Sequence, residues 1–266
     1  MTVKFPKVLF ALAAVAGLVW CGQAEAVSRF TNSLGQVFVP VGGTPVLFCI
    51  WDTRVQDYSM FATETHRTWP KPVFTQDATH PAVNVTWEDS QAFCAWLTQK
   101  ERKDGVISAS QAYRLPSDEE WSLAVGLTNE PGATPSEKHR KITHVYPWGN
   151  TWPPPKNSGN FADESLVAQK KDAFHVIEGY NDGYADTSPV GAFAANRFGL
   201  YDMGGNVWQW CQDWYDAGQR GRVLRGGSCV STPGMLLLSY RNTLSPSHSH
   251  PYIGFRCVLG ATPEKF

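Results

Sequence analysis

The residues with most chemistry to offer lie in the last third of the chain. Arg222 to Ser228 reads RVLRGGS and is followed at once by Cys229, while His248-Ser249-His250 stands between Pro246 and Pro251. A thiol in an electropositive, accessible setting would be a nucleophile or a soft-metal ligand. Two imidazoles one residue apart on an extended segment could share one side of it and, with a third ligand, hold a metal. The plainer reading of His248 and His250 is a polar loop tip. Besides Cys21 the chain carries Cys49, Cys94, Cys211, Cys229 and Cys257. None of them has a CxxC or Cys/His spacing that would encircle zinc, so a structural zinc site is not expected.

These groups need elements to position them. VFVPV, a GGT turn and VLFCIWDT alternate in polarity and are rich in β-branched and aromatic residues, which predicts a hairpin leading into a short helix from Val55 to Thr63. Thr86 with Asp89 three residues on opens a helix that places Phe93, Trp96 and Leu97 on one face and carries Cys94. Ser117 and Glu120 have capping-box spacing ahead of the apolar run Trp121 to Val125, so a second helix starts there. From Tyr146 to Phe193 the chain is dense in Gly, Pro, Asn and Asp. A loop of that length needs a function or a clamp. Leu200 to Met203, Val207 to Cys211, Val223 to Leu224 and Gly254 to Val258 read as short strands between glycine turns. The expected class is α+β with little regular secondary structure: two main helices and short, twisted antiparallel strands.

Composition narrows the functional classes. Lys and Arg number 23 against 24 Asp and Glu, a net charge of -1, so no field exists to attract nucleic acid. Eleven Trp, 23 Gly and 18 Pro imply long irregular segments held by large aromatic side chains. Lys4 and Lys7, an apolar stretch from Val8 to Trp20 and the small-x-small run Ala24-Glu25-Ala26 read as a secretion signal over residues 1–26, cleaved near Ala26. The apolar stretch is short of the roughly 20 residues needed to span a bilayer, and no membrane span is expected after its removal. Leu18 to Cys21 has the outline of a lipidation box, but Trp20 is too bulky before the cysteine, so anchoring at Cys21 is not expected. The expected location is secreted or periplasmic, with one domain over 27–266 and its core at about 35–259. In an oxidising compartment the five remaining cysteines can pair, and one must stay unpaired.

At this point the motifs carry a resemblance. DxxGNVWxW (Asp202 to Trp210), RVLRGGS and GFRC (Gly254 to Cys257) occur together with RLPSDEEW (Arg114 to Trp121), YPWGN (Tyr146 to Asn150) and TSPVG (Thr187 to Gly191). This set resembles the formylglycine-generating enzyme, or sulfatase-modifying factor, family. The resemblance implies a variant of the C-type-lectin-like fold. It also implies one of several roles, since the family includes oxidases that convert a sulfatase cysteine to formylglycine, iron-dependent sulfoxide synthases and ligand-binding proteins.

The family's oxidases carry a thiolate pair, five residues apart, shortly after RGGS, which binds copper(I). Here Ser228 to Arg241 holds Cys229 alone, directly after the serine, so copper is not expected. The histidine cluster and helical domain of the iron-dependent relatives are also missing from the sequence. Trp208, Ser228 and Cys229 are the residues nearest the family's active site, though a core indole and a buried hydroxyl are the plainer readings of the first two. The resemblance pairs Cys94 with Cys257, closing a loop whose restraint would stabilise by roughly 4–5 kcal/mol in the entropy model. Cys211 and Cys229 sit on segments expected to be adjacent and form a second candidate pair, leaving Cys49 as a buried thiol. A further bridge of some relatives falls here on Val125 and Leu238, both apolar.

Two calcium sites are also implied. The first uses Asn160, the carbonyl of Phe161, Asp182 and the carbonyl of Tyr184; hard oxygens from two distant loop segments suit Ca²⁺ and would clamp the long loop. The second uses Asp202, the carbonyls of Gly205 and Val207, and Gln209, where the family commonly has Glu. The expected function is an exported sulfatase-modifying-factor-like domain that binds a protein or small ligand, or assists maturation. A sulfatase-like polypeptide is one candidate partner. A formylglycine-generating oxidase is the alternative, and whether the chain is an enzyme stays open at this stage.

Overall fold

The computed structural model describes residues 1–2, 29–170 and 175–262. Residues 3–26 of the expected secretion signal, with Cys21, lie outside the described residues. In chain order the elements are β1 (Phe30–Thr31), β2 (Val37–Pro40), β3 (Leu47–Cys49), α1 (Val55–Glu64), α2 (Trp87–Lys103), β4 (Gln111–Arg114), α3 (Asp118–Ala124), α4 (Pro135–Lys138) and α5 (Glu164–Gln169). After a long loop follow β5 (Trp208–Trp214), β6 (Arg222–Arg225), a 3₁₀ turn at Pro233–Leu236, β7 (Asn242–Leu244), β8 (Ile253–Gly254) and β9 (Val258–Ala261). None of the described helices is long and apolar enough to cross a membrane.

Local chemistry sets where the helices begin. At α2 the Thr86 hydroxyl accepts the Asp89 N–H at 2.9 Å, and the Asp89 carboxylate accepts the Thr86 N–H at 3.1 Å. At α3 Ser117 and Glu120 make the same reciprocal pair, and Arg114 grips the Glu120 carboxylate through two contacts of 2.7 and 2.6 Å. Each such cap is worth about 1 kcal/mol. The expected helix from Val55 forms as α1, with Tyr58 and Phe61 buried.

Two sheets divide the chain. The first is antiparallel, with order β1-β2-β3-β9-β4, and α2 packs beside it: Phe93 lies 5.4 Å from Phe255 and stacks on Tyr58 at 5.9 Å. The second runs β7-β6-β5-β8, with β8 parallel to β5. A second apolar cluster gathers Phe48, Trp121, Cys211, Val223 and Leu238, with Val125 packed against it.

Two strand expectations are corrected. Leu200 to Met203 is not a strand, because Asp202 and Gly205 sit at φ +53 and +78 and turn the chain. Gly254 to Val258 is not one strand either: β8 belongs to the second sheet and β9 to the first, so residues 255–257 cross between them. Arg256 fills this crossing, fully buried, and donates to the carbonyls of Cys49 (3.1 Å) and Tyr201 (2.7 Å) and to Gln209 Oε1 (2.9 Å). The 146–193 segment is the irregular loop expected, interrupted by α5, whose cap Asp163 accepts the Ser165 N–H at 2.8 Å.

Behind the second sheet lies a buried ion cluster. Asp118 at the start of α3 pairs with Arg225 of β6 and, at 3.0 Å, with Arg241; Arg241 also holds Glu130 at 2.7 Å. Burial opposes ionisation of Asp118, but Arg225 and Arg241 outweigh it and hold the carboxyl below its usual range. Removing one partner from such a cluster leaves an uncompensated buried charge, which costs about 3–5 kcal/mol, whereas an exposed pair is worth about 1 kcal/mol or less. Asp118→Ala should therefore lower urea-unfolding stability by about 3–5 kcal/mol, and Glu64→Ala, which breaks the exposed Lys100 pair, by under about 1 kcal/mol. Comparable small effects from both substitutions would show that the cluster does not hold the fold.

Candidate functional site

After Arg225 the chain turns on Gly226 and Gly227, at φ +92 and +76, and a Cβ at Gly227 would approach Leu236 to 2.7 Å. This turn sets Ser228 into the wall of a cavity of about 310 Å³. Trp208, which opens β5, lines the same cavity with Leu224 of β6 and Asn242 of β7, and Ile253 of β8 closes the frame. Its mouth carries His248, His250 and Tyr252. The order β7-β6-β5-β8 brings these side chains together from positions spread over 46 residues.

Polar groups in the wall are largely buried. Ser228 and Ser231 are 1% and 3% exposed, their hydroxyl oxygens lie 3.1 Å apart, and the Ser228 N–H donates to Ser231 Oγ at 2.9 Å. Trp208 is 6% exposed, with its ring 5.9 Å from Tyr240. The Tyr252 hydroxyl donates to Asp186 at 2.7 Å and accepts from Lys170 Nζ at 2.8 Å. Burial pushes that phenol up to about 12. His250 is held below its ordinary range by burial and by the neighbouring His248.

The structure thus gathers Trp208, Ser228, His248 and His250 at one cavity, but not Cys229, which is absent from its lining. Cys229 is 1% exposed, its N–H donates to the Asn206 carbonyl, and burial pushes its thiol well up. Among the described residues no group of three His, Cys, Asp or Glu side chains stands close enough to hold a metal. Ser231, Asn242 and Tyr252 line the cavity as well. Only the strand order, not any motif, brings them to Trp208.

All five described cysteines are thiols and buried. Cys94 and Cys257 face each other with sulfurs 3.5 Å apart. Cys211 lies near Arg225, Asp118 and Asp213, while Cys229 lies near Asp186, Lys170 and Asp182.

The long loop is stitched by side chains. Asn160 Nδ2 donates to the Asp186 carbonyl at 2.8 Å, and the Asp182 carboxylate accepts the Phe161 and Tyr184 N–H groups at 2.7 and 2.8 Å. Asn160 Oδ1 is buried without a hydrogen-bond partner among the described residues. Asp182 is pushed up to about 7, first by burial and also by the adjacent Asp163 carboxylate, against the pull of the two amides. The loop therefore concentrates oxygens and negative charge that lack a counter-charge.

The second expected ion set does not fit its residues. Gln209 Oε1 accepts from Trp121 Nε1 (3.0 Å) and Arg256 Nε (2.9 Å), while Gln209 Nε2 donates to the Asp202 carbonyl (2.7 Å). Its oxygen is committed elsewhere and its amide nitrogen faces Asp202. Asp202 Oδ2 accepts from the Gly191 N–H, and Gly205 lies so close to Asn160 that a Cβ would reach its carbonyl at 2.2 Å. Asp202, Gly205, Val207 and Gln209 hold the site by packing and hydrogen bonds.

Residues 27–261 match the family described as the sulfatase-modifying factor enzyme 1-like domain. The chain is 33% identical over 190 residues to the inactive C-alpha-formylglycine-generating enzyme 2 of Bos taurus, covering 68% of this chain and 50% of that protein. It is 29% identical over 244 residues to the formylglycine-generating enzyme of Thermomonospora curvata, covering 81% and 68% respectively. The chain thus spans about half the length of the bovine relative. Among solved structures it resembles PvdO from Pseudomonas aeruginosa, with a TM-score of 0.61, 20% identity and coverage of 90% of this chain and 100% of that one. The Treponema denticola variable protein 1 is similar at a TM-score of 0.59 and 17% identity, with 86% and 98% covered. These two likenesses show the fold, a C-type-lectin-like variant.

Burial makes the thiols unreactive in the folded state. With disulfides reduced, Cys229 in the native chain should alkylate with iodoacetamide at pH 8 slower than in urea by about two orders of magnitude. Rapid native labelling of Cys229 would contradict its placement.

Proposed function

The chain belongs to the sulfatase-modifying factor family, and on that premise we propose that it is an exported, non-oxidising member that uses the cavity at Trp208 and Ser228 to bind a ligand. The observation that carries this reading is the content of the segment after RGGS. Where the family's oxidases are expected to carry two thiolates, Ser228 to Arg241 supplies one thiol, Cys229, buried outside the cavity and held protonated. Copper(I) needs soft, deprotonated ligands in reach of substrate. The remaining positions are filled by Met235, which lines the cavity, and by the buried Leu236, Leu237 and Leu238.

The identity to a relative named as inactive is consistent with this reading. Export is supported by the Lys4 to Ala26 signal pattern and by a family match that starts at residue 27, directly after it. The bound partner is a small ligand or a polypeptide segment, a sulfatase-like chain included. The oxidase alternative requires a second thiolate that the segment does not contain.

Calcium is the ion that fits the long loop. Asn160 Oδ1, the carbonyls of Phe161 and Tyr184 and the Asp182 carboxylate offer hard oxygens, one of them a buried orphan, beside the charge of Asp163. Bound there, Ca²⁺ would supply the missing counter-charge and pin the loop. The Cys94 and Cys257 sulfurs, 3.5 Å apart, support the bridge that the resemblance implies, which on oxidation would tie α2 to the residues entering β9.

Three measurements check this reading. Copper(I) titration of the reduced chain with a competing chelator should find no tight one-to-one site, and stoichiometric capture would overturn the non-oxidising assignment. Chelator should lower the melting temperature, Ca²⁺ should restore it, and Asp182→Ala should abolish the response; a chelator-insensitive melt would remove calcium from the account. Protein secreted by its host should begin at Val27 by intact mass, with Cys94 and Cys257 recovered in one non-reducing peptide fragment; a retained residue 1–26 would contradict export.

A further inference from the structure

The cavity's hydrogen-bonding inventory is one-sided. Trp208 lines it with 6% exposure, and its indole N–H meets no acceptor among the described residues. The serine pair adds a second donor. Ser231 Oγ already accepts the Ser228 N–H, and the two hydroxyls share one hydrogen bond. Whichever serine donates in that bond, one hydroxyl proton is left without an acceptor among the described residues. Asn242 uses its Oδ1 on the Thr243 N–H at 2.9 Å, so its free amide hydrogens are donors as well.

Side-chain acceptors are scarce. Among the described residues no Asp or Glu lines the cavity, and the Tyr252 hydroxyl gives its proton to Asp186, whose charge is paired with Lys170. Among the described residues the ionisable groups lining the mouth besides Tyr252 are His248 and His250. The rest of the lining is Thr243, a hydroxyl that can donate or accept, and apolar side chains, with Leu224, Met235 and Ile253 prominent. These donors face the open cavity, where water can reach them, and a ligand that brings acceptors to them replaces that water with direct hydrogen bonds. An alcohol, a sugar or an amide would bring donors of its own, for which the side chains of this wall offer few acceptors beyond Thr243 and the imidazoles at the mouth. An ionised carboxylate is acceptor-only and complements this wall.

We propose that the cavity takes a small organic acid. Its carboxylate meets the Trp208 indole N–H and the surplus hydroxyl proton of Ser228 or Ser231, and its apolar part lies on Leu224, Met235 and Ile253. The volume, about 310 Å³, is at the small end of ligand sites, which excludes a folded partner from its depth. This assignment rests on the binding reading above and specifies the class of ligand; the absence of oxidation does not depend on it.

The test uses ¹⁵N-tryptophan-labelled full chain as exported, with the Trp208 indole N–H resonance assigned by its loss in Trp208→Phe. Hexanoate is the probe, with hexanol and hexylamine as matched chains lacking the carboxylate. Hexanoate should shift the Trp208 resonance saturably, and neither control should. The Ser228→Ala, Ser231→Ala double variant should weaken hexanoate binding about tenfold, while its other indole resonances, unchanged, report an intact fold. If the variant fails to fold, the comparison of the three probes on the unmodified chain decides alone. Hexanol shifting Trp208 as strongly as hexanoate would overturn the carboxylate assignment while leaving a ligand-binding cavity. No response to any probe would overturn the organic-acid proposal, and the copper titration would still decide separately whether the chain is an oxidase.

Discussion

One carboxylate, Asp118, holds the site side of the molecule together. It sits at the first turn of α3 and is shared by Arg225, at the end of β6, and Arg241, just before β7. The segment that forms the back of the cavity, from Gly226 to Tyr240, is thereby tied at both ends to the same group. Arg225 also caps the Leu238 carbonyl at 2.8 Å and lies 4.2 Å over the Trp121 ring. Two acids and two guanidinium groups make the cluster neutral, so burial is tolerated only while all four are present. Acidification should work against it: Asp118 and Glu130 are both held below their usual range, so the stability they contribute is present above the carboxylate range and is lost as pH falls below about 4.

This clamp explains how the loop after RGGS can lose reactive residues and keep its shape. Its path is set by the two left-handed glycines, the Ser228–Ser231 contact and the arginine pair. None of these is a redox group. With the geometry secured by charge and backbone, the interior of the loop is free to be apolar, and Leu236 to Leu238 turn inward, Leu238 into the cluster that includes Trp121 and Leu236 against Phe161. The same scaffold that would present thiols elsewhere here presents an indole N–H, two serine hydroxyls and a thioether to a small cavity.

Much of this was legible in the sequence, for identifiable reasons. Capping boxes are local, so Thr86 and Ser117 located α2 and α3 directly. The family motifs fixed the fold, because each marks a contact of the scaffold. GFRC misled as a strand because Gly254 ends β8 in one sheet and Phe255 to Cys257 cross to β9 in the other, a property of the crossing and not of the local pattern. Gln209 looked like a weakened ion ligand, and only tertiary contact shows its oxygen already held by Trp121 and Arg256. The cavity itself was half visible: Trp208 and Ser228 lie in motifs, whereas Asn242 reaches Trp208 through the order β7-β6-β5 and Tyr252 through the parallel β5–β8 contact, which no periodicity announces.

The central claim is that this family scaffold binds without oxidising. Its most direct test is turnover of a Cys-x-Pro-x-Arg peptide by the reduced chain supplied with copper(I) and dioxygen, followed by mass spectrometry. The account predicts that the peptide cysteine is recovered intact at the rate of a no-protein control. Conversion of that cysteine to formylglycine, dependent on the chain, would contradict it.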